Sequence, residues 1–195
     1  AGVAAFTTST GYGIAKYDNP EELSVSDRNN IGYQYTDCPL YWISVIYLNF
    51  AEAKAEMGSL TQDDLNNSIN KLQARAGLPA MTTTPDAGPA NNMGVSNLIW
   101  EIRRCRRCEL IMDNWYRYWD LIRWHQLDKL DSTKYPNTML GANVSNVPDC
   151  EEATKNGYID ASDAQIRTYE AKHYFYPIPT TQLTLNKNMK QNPGW

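Results

Sequence analysis

The sequence predicts a mainly α-helical protein with paired helices, long irregular loops and few short strands. Apolar residues recur at helical spacing in three segments, and a glycine follows each of the first two. The rest of the chain is polar and rich in turn-forming residues, with little periodicity. Its 195 residues are enough for one domain or for one large piece of a bigger protein.

The first predicted helix begins after Pro39, because proline is accepted in a first helical turn and Asp37 can cap the free backbone N–H groups. Apolar and small residues then recur at helical spacing at Ile43, Ile46, Tyr47, Phe50 and Ala51. Gly58 ends the helix, since glycine readily adopts the left-handed conformation that closes many helices.

A second helix is predicted to start at Thr61, which with Asp64 resembles a capping box. Its apolar face carries Leu65, Ile69 and Leu72, and it ends near Gly77 and Pro79. Together the two helices span about 35 residues, the size of one tetratricopeptide repeat. A single pair cannot bury its apolar face alone, so partner helices are required.

The remaining segments are assigned by the same rules. Residues 6–18 are predicted to be extended, and residues 80–95 form a surface loop. A long helical pattern starts near Leu98, with Ile102, Cys105 and Met112 on one side. It breaks near Asp113-Asn114 and resumes from Trp115 to about Leu130. A polar stretch covers residues 131–167. Residues 174–179 are extended by their prolines, and a short helical turn follows at 181–185.

The charge balance argues against nucleic-acid binding, because 22 acidic residues outnumber 18 basic ones and the net charge is −4. One basic cluster, residues 103–107, is flanked by Glu101 and Glu109. On a helix these charges can pair, so a solvated face is predicted. No apolar run of about 18 residues is present to span a bilayer as a helix.

The four cysteines, Cys38, Cys105, Cys108 and Cys150, leave the redox state of the protein open. Cys105 and Cys108 form a C-x-x-C inside a helical pattern, which lacks the strand–turn–helix context of a thioredoxin-like motif. A zinc site would need the distant Cys38, Cys150, His125 and His173. We therefore predict neither metal nor cofactor, with Cys105 and Cys108 facing the core as small hydrophobic residues.

Three segments together resemble the C-terminal region of the SusD/RagB family. They are Tyr47-Leu48-Asn49-Phe50-Ala51-Glu52-Ala53 through Ile69 to Pro79, then Cys108-Glu109-Leu110 with Arg117-Tyr118-Trp119-Asp120-Leu121-Ile122-Arg123-Trp124, and finally Tyr176-Pro177-Ile178-Pro179 with Gln191-Asn192-Pro193-Gly194-Trp195. The opening Thr10-Gly11-Tyr12 with Lys16-Tyr17 is similar too. The matches follow the family's order, with two departures. Cysteines stand at 105 and 108, and the interval from Glu109 to Asp120 is one residue longer, which indicates an irregularity near Asn114.

This resemblance implies a mainly helical C-terminal domain over residues 1–195 of a longer lipoprotein on the outer face of the outer membrane. Such proteins bind oligosaccharides or polysaccharides, and some members bind peptides. They cover a TonB-dependent transporter and catalyse nothing. The export signal and the lipidated cysteine would lie in the N-terminal part, so none of the four cysteines here is expected to be the anchor.

Ligand contacts are expected first in residues 80–95 and 131–167, where Tyr135 and Tyr158 are the candidate ligand-binding residues. The aromatic run Trp115, Tyr116, Tyr118, Trp119 and Trp124 could stack on sugars, but an aromatic stripe at helical spacing predicts core instead. The acidic residues of the polar stretch, Asp149, Glu151, Glu152, Asp160 and Asp163, predict a solvated loop, not a glycosidase pair. No catalytic residue is predicted. The alternative is a helical-repeat scaffold that binds a peptide or protein.

Overall fold

The computed structural model describes residues 8–14, 16, 24–29, 40–86, 91–147, 154–162 and 164–195. The predicted helix cap at Asp37 and Pro39 lies outside these residues. So do two of the cysteines and most of the acidic residues of the polar stretch: Cys38, Cys150, Asp149, Glu151, Glu152 and Asp163.

Within the described residues the fold is mainly helical, as predicted, with one small sheet. The α-helices are α1 (Val25–Asn29), α2 (Ile43–Glu56), α3 (Gln62–Asn66), α4 (Ile69–Arg75), α5 (Asn97–Glu109), α6 (Tyr116–Arg123) and α7 (Thr180–Leu185). The 3₁₀ helices are Leu127–Leu130 and Ala171–Tyr174. The strands are β1 (Leu140–Asn143), β2 (Thr154–Lys155) and β3 (Tyr158–Asp160). No helix in the described part of the chain is long and apolar enough to cross a membrane.

The chain divides into two compact units. One, called the helical unit, is Pro39–Trp124, and the other, called the strand unit, combines Ala1–Cys38 with His125–Trp195. The helical unit contains α2 to α6, and α2 packs against both α4 and α5. The strand unit contains the sheet and the remaining helices.

Both predicted glycine stops in the helical unit are confirmed. Gly58 and Gly77 adopt positive φ angles of 66° and 67°. The residue after each glycine donates its N–H to a carbonyl five residues earlier, Ser59 to Lys54 and Leu78 to Gln73, at 2.9 Å in both cases. These bonds satisfy backbone carbonyls that a helix leaves open at its end.

The second predicted helix is two helices. The capping box at its start is confirmed, since the N–H groups of Thr61 and Asp64 each donate to the other residue's side chain, at 2.9 and 3.1 Å. A turn at Asn67-Ser68 then separates α3 from α4. The Ser68 hydroxyl donates to the carbonyl of Asp64, which is the local side chain–backbone bonding by which serine competes with a continuous helix.

The core of the helical unit includes Leu65, Ile69 and Leu72, the apolar face predicted for the second helix. Its fully or largely buried members are Leu48, Ala51, Leu65, Ile69, Leu72, Met81, Ile102 and Leu110. On α2, however, the most apolar stripe faces outward: Ile43, Ile46 and Phe50 are 63%, 59% and 43% exposed. The inward face of α2 carries Glu52 beside the apolar Leu48 and Ala51, and Glu52 is 5% exposed.

Glu52 belongs to a connected group of charged side chains and one indole, here called the ion cluster: Glu52, Arg103, Arg106, Asp120, Arg123 and Trp124. Glu52 accepts hydrogen bonds from Arg123 at 2.6 and 3.1 Å, from Arg103 at 3.3 Å and from the indole of Trp124 at 2.6 Å. The guanidinium groups of Arg103 and Arg123 each lie 4.7 Å from the Trp124 ring centroid. These contacts tie α2, α5 and the end of α6 together.

Asp120 completes the ion cluster by accepting from Arg106 at 2.7 Å and from Arg123 at 2.9 Å. The prediction that residues 103–107 form a solvated face is therefore wrong for Arg103 and Arg106, which are 8% and 5% exposed. It holds for Arg104, which pairs with Glu101 one turn away. Desolvation alone would oppose these buried charges, so their pairing is what makes the burial tolerable.

Burial works against ionisation of Glu52, but the hydrogen bonds and charges of Arg123, with Trp124 and Arg103, outweigh it and lower the pKa of this carboxyl. Asp120 and Arg123 thus fix α6 to its neighbours by ion pairs. Arg117 differs, because burial and the nearby charge of Arg107 lower its pKa.

The predicted break near Asn114 is confirmed and is broad. Between α5 and α6 the backbone of Met112, Asn114 and Trp115 takes positive φ angles of 63°, 36° and 58°. This irregular turn agrees with the predicted irregularity, which was based on an interval from Glu109 to Asp120 that is one residue longer than in the family pattern. The helix then resumes only to Arg123, because His125 again has a positive φ of 53°.

The aromatic run contradicts the prediction of a core stripe. Trp124 is 7% exposed, but Trp115 and Trp119 are 81% and 53% exposed. The left-handed turn at Trp115 places that residue before α6 instead of on its inner face. Trp119 contacts Tyr118 edge to face, with ring centroids 5.5 Å apart.

In the strand unit, β3 pairs antiparallel with both β1 and β2. The opening segment, predicted to be extended, lies against β1 at its described residues. The N–H of Ala142 donates to the carbonyl of Thr10 at 2.8 Å. Gly141 permits this approach, since a Cβ there would lie 2.2 Å from that carbonyl oxygen.

The end of the chain folds back on itself within the strand unit. The side chain of Gln191 exchanges two hydrogen bonds with the backbone of Ile178, at 2.7 and 2.9 Å. The indole N–H of Trp195 donates to the carbonyls of Phe175 and Lys172, at 3.0 and 3.2 Å. Trp195 remains 46% exposed, so it is anchored by hydrogen bonds and only partly packed.

Candidate functional site

Two turns in the strand unit share the sequence Asp-x-Ser/Thr. In each, the aspartate accepts hydrogen bonds from the backbone N–H and the hydroxyl two residues later. Asp131 receives them from Thr133, with the N–H at 2.9 Å, and Asp160 from Ser162, with the N–H at 3.0 Å. This Asx-type bonding follows from the short side chain of aspartate.

Both turns supply residues to a small cavity of about 210 Å³, here called the loop pocket. Its lining combines hydroxyl, amide and charged groups with an apolar part: Ser132, Thr133, Pro136, Met139, Leu140, Lys155, Asp160, Ser162, Ala164, Gln165 and Ile166. The hydroxyls of Thr133 and Ser162 donate to the aspartates, so only acceptor capacity remains on their oxygens. Such a lining suits a small polyhydroxy molecule with one apolar face.

The aspartates of the two turns are held ionised. Bonds from Thr133, with further N–H donors including Tyr169, lower the pKa of Asp131 to about 2. Bonds from Ser162, and more weakly the charge of Lys155, lower the pKa of Asp160. A carboxylate held ionised in this way accepts hydrogen bonds but does not donate a proton as a general acid near neutral pH.

Tyr135 does not line the loop pocket, although its neighbour Pro136 does. It is half-buried, and its hydroxyl accepts a hydrogen bond from the Lys129 ammonium at 2.7 Å. The same ammonium lies 4.4 Å from the ring centroid. Its role in ligand binding stays a prediction.

Tyr158 lies in the central strand β3, beside the buried Ile159, and is 38% exposed. Its register partners are Lys155 on β2 and Asn143 on β1. It is separate from the lining of the loop pocket, which includes Asp160 of the same strand. Its role in ligand binding also stays a prediction.

The other predicted loop, at its described residues, lines a larger cavity in the helical unit. This cavity, here called the Trp100 groove, has a volume of about 620 Å³. Its walls come from residues 78–86 and from the first turns of α5: Gln73, Leu78, Pro79, Ala80, Met81, Thr82, Pro85, Asp86, Trp100, Glu101 and Arg104. Its size falls within the range of about 300–1,000 Å³ that is usual for ligand pockets, whereas the loop pocket is smaller.

Residues 78–86 are held in place by side chains of the helices beneath them. Asn70 accepts from the N–H of Met81 at 2.7 Å and donates to its carbonyl at 3.1 Å, so the side-chain amide replaces a backbone partner. Gln62 donates to the same carbonyl at 3.0 Å. The Trp100 groove therefore has one wall of helix and one of loop clamped to helix.

The two described cysteines are free and lie on α5. Cys105 is half-buried and accepts a hydrogen bond from Gln73 at 3.1 Å, and burial raises the pKa of its thiol to about 12. Cys108 is exposed, so the prediction that both face the core is wrong for this residue. Among the residues described, no group of three or more His, Cys, Asp or Glu is placed to hold a metal ion.

Comparisons with known proteins give a consistent result. The chain is similar to a SusD-like protein of Bacteroides fragilis whose crystal structure is solved at 2.70 Å, with a TM-score of 0.51 and 25% identity. The match covers 78% of this chain and 25% of that one, so the chain spans about a quarter of its length. No curated protein matches the chain. The sequence model of the SusD family matches residues 2–195, nearly the whole sequence, and the chain therefore belongs to the SusD family.

Proposed function

We propose that this chain is the C-terminal part of a cell-surface protein that captures oligosaccharides or polysaccharides at the outer membrane for uptake. The match of the SusD family to residues 2–195 carries this proposal. The longer protein passes its ligand to a TonB-dependent transporter and is attached to the membrane by a lipid anchor outside residues 1–195. Its cargo leaves chemically unchanged.

The two cavities support a binding role. Each combines hydrogen-bonding side chains with apolar surface, as the alternating hydroxyls and C–H faces of a sugar require. The Trp100 groove adds an aromatic ring to its lining, and an aromatic face is a common platform for a flat C–H surface.

The carboxylates support binding without hydrolysis. A glycosidase needs one carboxylic acid with a raised pKa beside a second carboxylate. Glu52, Asp131 and Asp160 all have lowered pKa values instead. Their oxygens already accept bonds from arginines, hydroxyls or backbone N–H groups, so none is poised to protonate a leaving group.

A glycan-array screen tests the proposal, with this chain compared with the longer protein to which it belongs. Binding by both would place a site on residues 1–195, and Tyr135→Ala and Tyr158→Ala would then test the two predicted tyrosines. Binding by the longer protein alone would place the site elsewhere and leave a supporting role here. The absence of binding by either protein would contradict the proposal.

A second candidate function is a helical scaffold that binds a peptide or protein. The outward apolar stripe of α2 favours it, since Ile43, Ile46 and Phe50 are exposed together with Trp115. Exposed apolar surface of this kind often marks an interaction site. Selection of binding sequences from a displayed peptide library, with loss of binding in Ile46→Lys, would support this alternative over the first.

A further inference from the structure

We propose that the Trp100 groove is a glycan subsite that selects uncharged oligosaccharides over uronate-containing or sulfated ones. This inference rests on the proposed function and specifies its ligand class and one place of contact. It depends on the residues that line the groove and on how their charges are paired.

The ring of Trp100 is the only aromatic side chain among the described residues lining the groove, and it is half-buried. Pro79 and Pro85 add apolar surface nearby. A pyranose presents C–H groups on one face, and these pack against an aromatic plane with little loss of ring freedom. Trp100 is therefore the residue that fixes the sugar ring in the groove.

The charged residues of the groove are Asp86, Glu101 and Arg104. Glu101 and Arg104 form a two-bond pair, with Arg104 Nε 2.8 Å from Glu101 Oε2, and this contact raises the pKa of Arg104. Among the described groove residues Arg104 is the only cation, and its charge is already balanced. Asp86 is exposed and gives the groove a net negative charge.

This charge pattern favours one class of sugar. Carboxylates accept strong hydrogen bonds from sugar hydroxyls, which every neutral oligosaccharide offers in adjacent pairs. A uronate or sulfate is held best by a cation without a counter-charge, which the described lining does not offer, and it would meet the like charge of Asp86. The groove can therefore hold neutral hexose or pentose units and repels acidic ones.

The rigid wall supports a preformed site. The side chain of Asn70 forms hydrogen bonds with both the N–H and the carbonyl of Met81. Residues 78–86 are therefore already ordered before a sugar binds. A preformed groove loses less entropy on binding than a mobile loop would, which matters for a weakly binding ligand such as a sugar.

Calorimetric titration of the 195-residue chain tests the proposal. The probes are the neutral hexasaccharides of glucose (α-1,4 and β-1,4), xylose and mannose, and the acidic hexagalacturonate and hyaluronan hexasaccharide. The variants are Trp100→Ala, Trp100→Phe and Asp86→Asn, with Trp115→Ala as the control because Trp115 is 81% exposed and does not line the groove. Thermal unfolding of each variant checks that it is folded.

We expect binding of at least one neutral probe and weaker binding of both acidic ones. Trp100→Ala should weaken neutral binding about tenfold, with partial retention in Trp100→Phe and no change in Trp115→Ala. Asp86→Asn should weaken neutral binding about threefold and strengthen acidic binding by a similar factor. Asp86→Asn keeps the side-chain shape, so its result stands even if Trp100→Ala unfolds.

Two results would overturn the subsite and leave the proposed function standing. One is neutral binding that is unaffected by both Trp100→Phe and Asp86→Asn, and the other is tighter binding of the acidic probes. If neither this chain nor the longer protein bound any glycan in the array, the proposed function and the subsite would fail together.

Discussion

The helical unit buries a continuous apolar core around Leu48, Ile69 and Ile102, whereas the strand unit, in its described residues, buries only Leu127 and Ile159 among large aliphatic side chains. What the strand unit has instead are side chains that bond to distant backbone, such as Asp131 to the N–H of Tyr169. The comparison shows two ways of stabilising a fold. The helical unit removes apolar surface from water, whereas in the strand unit polar side chains pair with backbone groups that regular secondary structure would otherwise satisfy.

Charge is also used differently in the two units. In the ion cluster of the helical unit, the buried carboxylates of Glu52 and Asp120 face arginines, and the pairs with Arg103 and Arg106 are buried on both sides. In the strand unit, Asp131 and Asp160 face N–H groups and hydroxyls. A buried ion pair is costly when one partner is lost, because a buried charge stays unpaired, while the loss of an aspartate in a turn leaves only uncharged donors without their acceptor. Substitutions should therefore have unequal effects in the two units.

The largest effect is expected for Glu52→Gln. The substitution keeps the shape but removes the carboxylate that Arg103 and Arg123 share. Because Arg103 keeps Glu56 and Arg123 keeps Asp120, the expected cost in the free energy of unfolding is about 3 kcal/mol, the low end of the range for breaking a buried ion pair. Urea denaturation at pH 7 measures it. Glu56→Gln is the matched control, because Glu56 pairs with the same Arg103 but its side chain is 50% exposed. The expected loss there is below about 1 kcal/mol. Equal losses would contradict a special role of burial.

The same carboxylate predicts a pH dependence. Because the folded-state pKa of Glu52 is below its ordinary value of 4.5, its ionised form stabilises the fold above that pH. This stability is lost as the pH falls through the lower folded-state pKa. In Glu52→Gln the free energy of unfolding should therefore fall less between neutral and acidic pH than it does in the unsubstituted chain. Urea unfolding curves of both proteins at several pH values measure this difference.

A smaller effect is expected for Gly141→Ala in the strand unit. The added methyl group would meet the Thr10 carbonyl, so β1 and the opening segment must separate at a cost of about 1–3 kcal/mol. Hydrogen–deuterium exchange should show faster exchange at Ala142, whose N–H bonds to Thr10, with the helical unit unchanged. Gly13→Ala is the control, since no atom lies within 4 Å of a Cβ at that position. Similar exchange in the two variants would contradict the steric explanation.

The smallest effect is expected for Asp131→Asn. The pKa of Asp131 is lowered to about 2, so its carboxylate stabilises the strand unit above its ordinary pKa of 3.8 and stops doing so as the pH falls through about 2. The variant should melt at a lower temperature at pH 7 and approach the unsubstituted chain near pH 2. Asp128→Asn, three residues earlier, is the comparison. A difference in melting temperature that does not change with pH would exclude the carboxylate charge as the cause.

The sequence predicted the helical unit better than the strand unit, for a physical reason. Helix ends depend on neighbours in the chain, so Gly58, Gly77 and the Thr61–Asp64 box were visible as patterns. The inward face of α2 could not be predicted in this way. Glu52 faces inward because it pairs with Arg103 and Arg123, which lie 51 and 71 residues further along the chain. Apolar periodicity correctly placed Ala51 in the core and Tyr47 against it, but it also selected Ile43, Ile46 and Phe50, which the structure leaves exposed.

The candidate sites were predicted only as regions. Residues 80–95 and 131–167 both contribute to cavities, but Tyr135 and Tyr158 do not line them. The repeated Asp-x-Ser/Thr at 131 and 160 was a usable signal for the loop pocket, since each triplet forms its turn locally. Trp100 gave no such signal, because its place in the groove depends on how residues 78–86 fold over α4.

The outward stripe of α2 has a practical consequence for handling the purified chain. Ile43 and Ile46 add apolar area to the surface without contributing to the buried core, so they lower solubility and do not raise stability. Lysine or glutamate at these two positions is compatible with a helix, and their long side chains can keep the charged group in solvent. A doubly substituted chain is therefore a suitable form for crystallisation at high concentration, with both cavities unaltered.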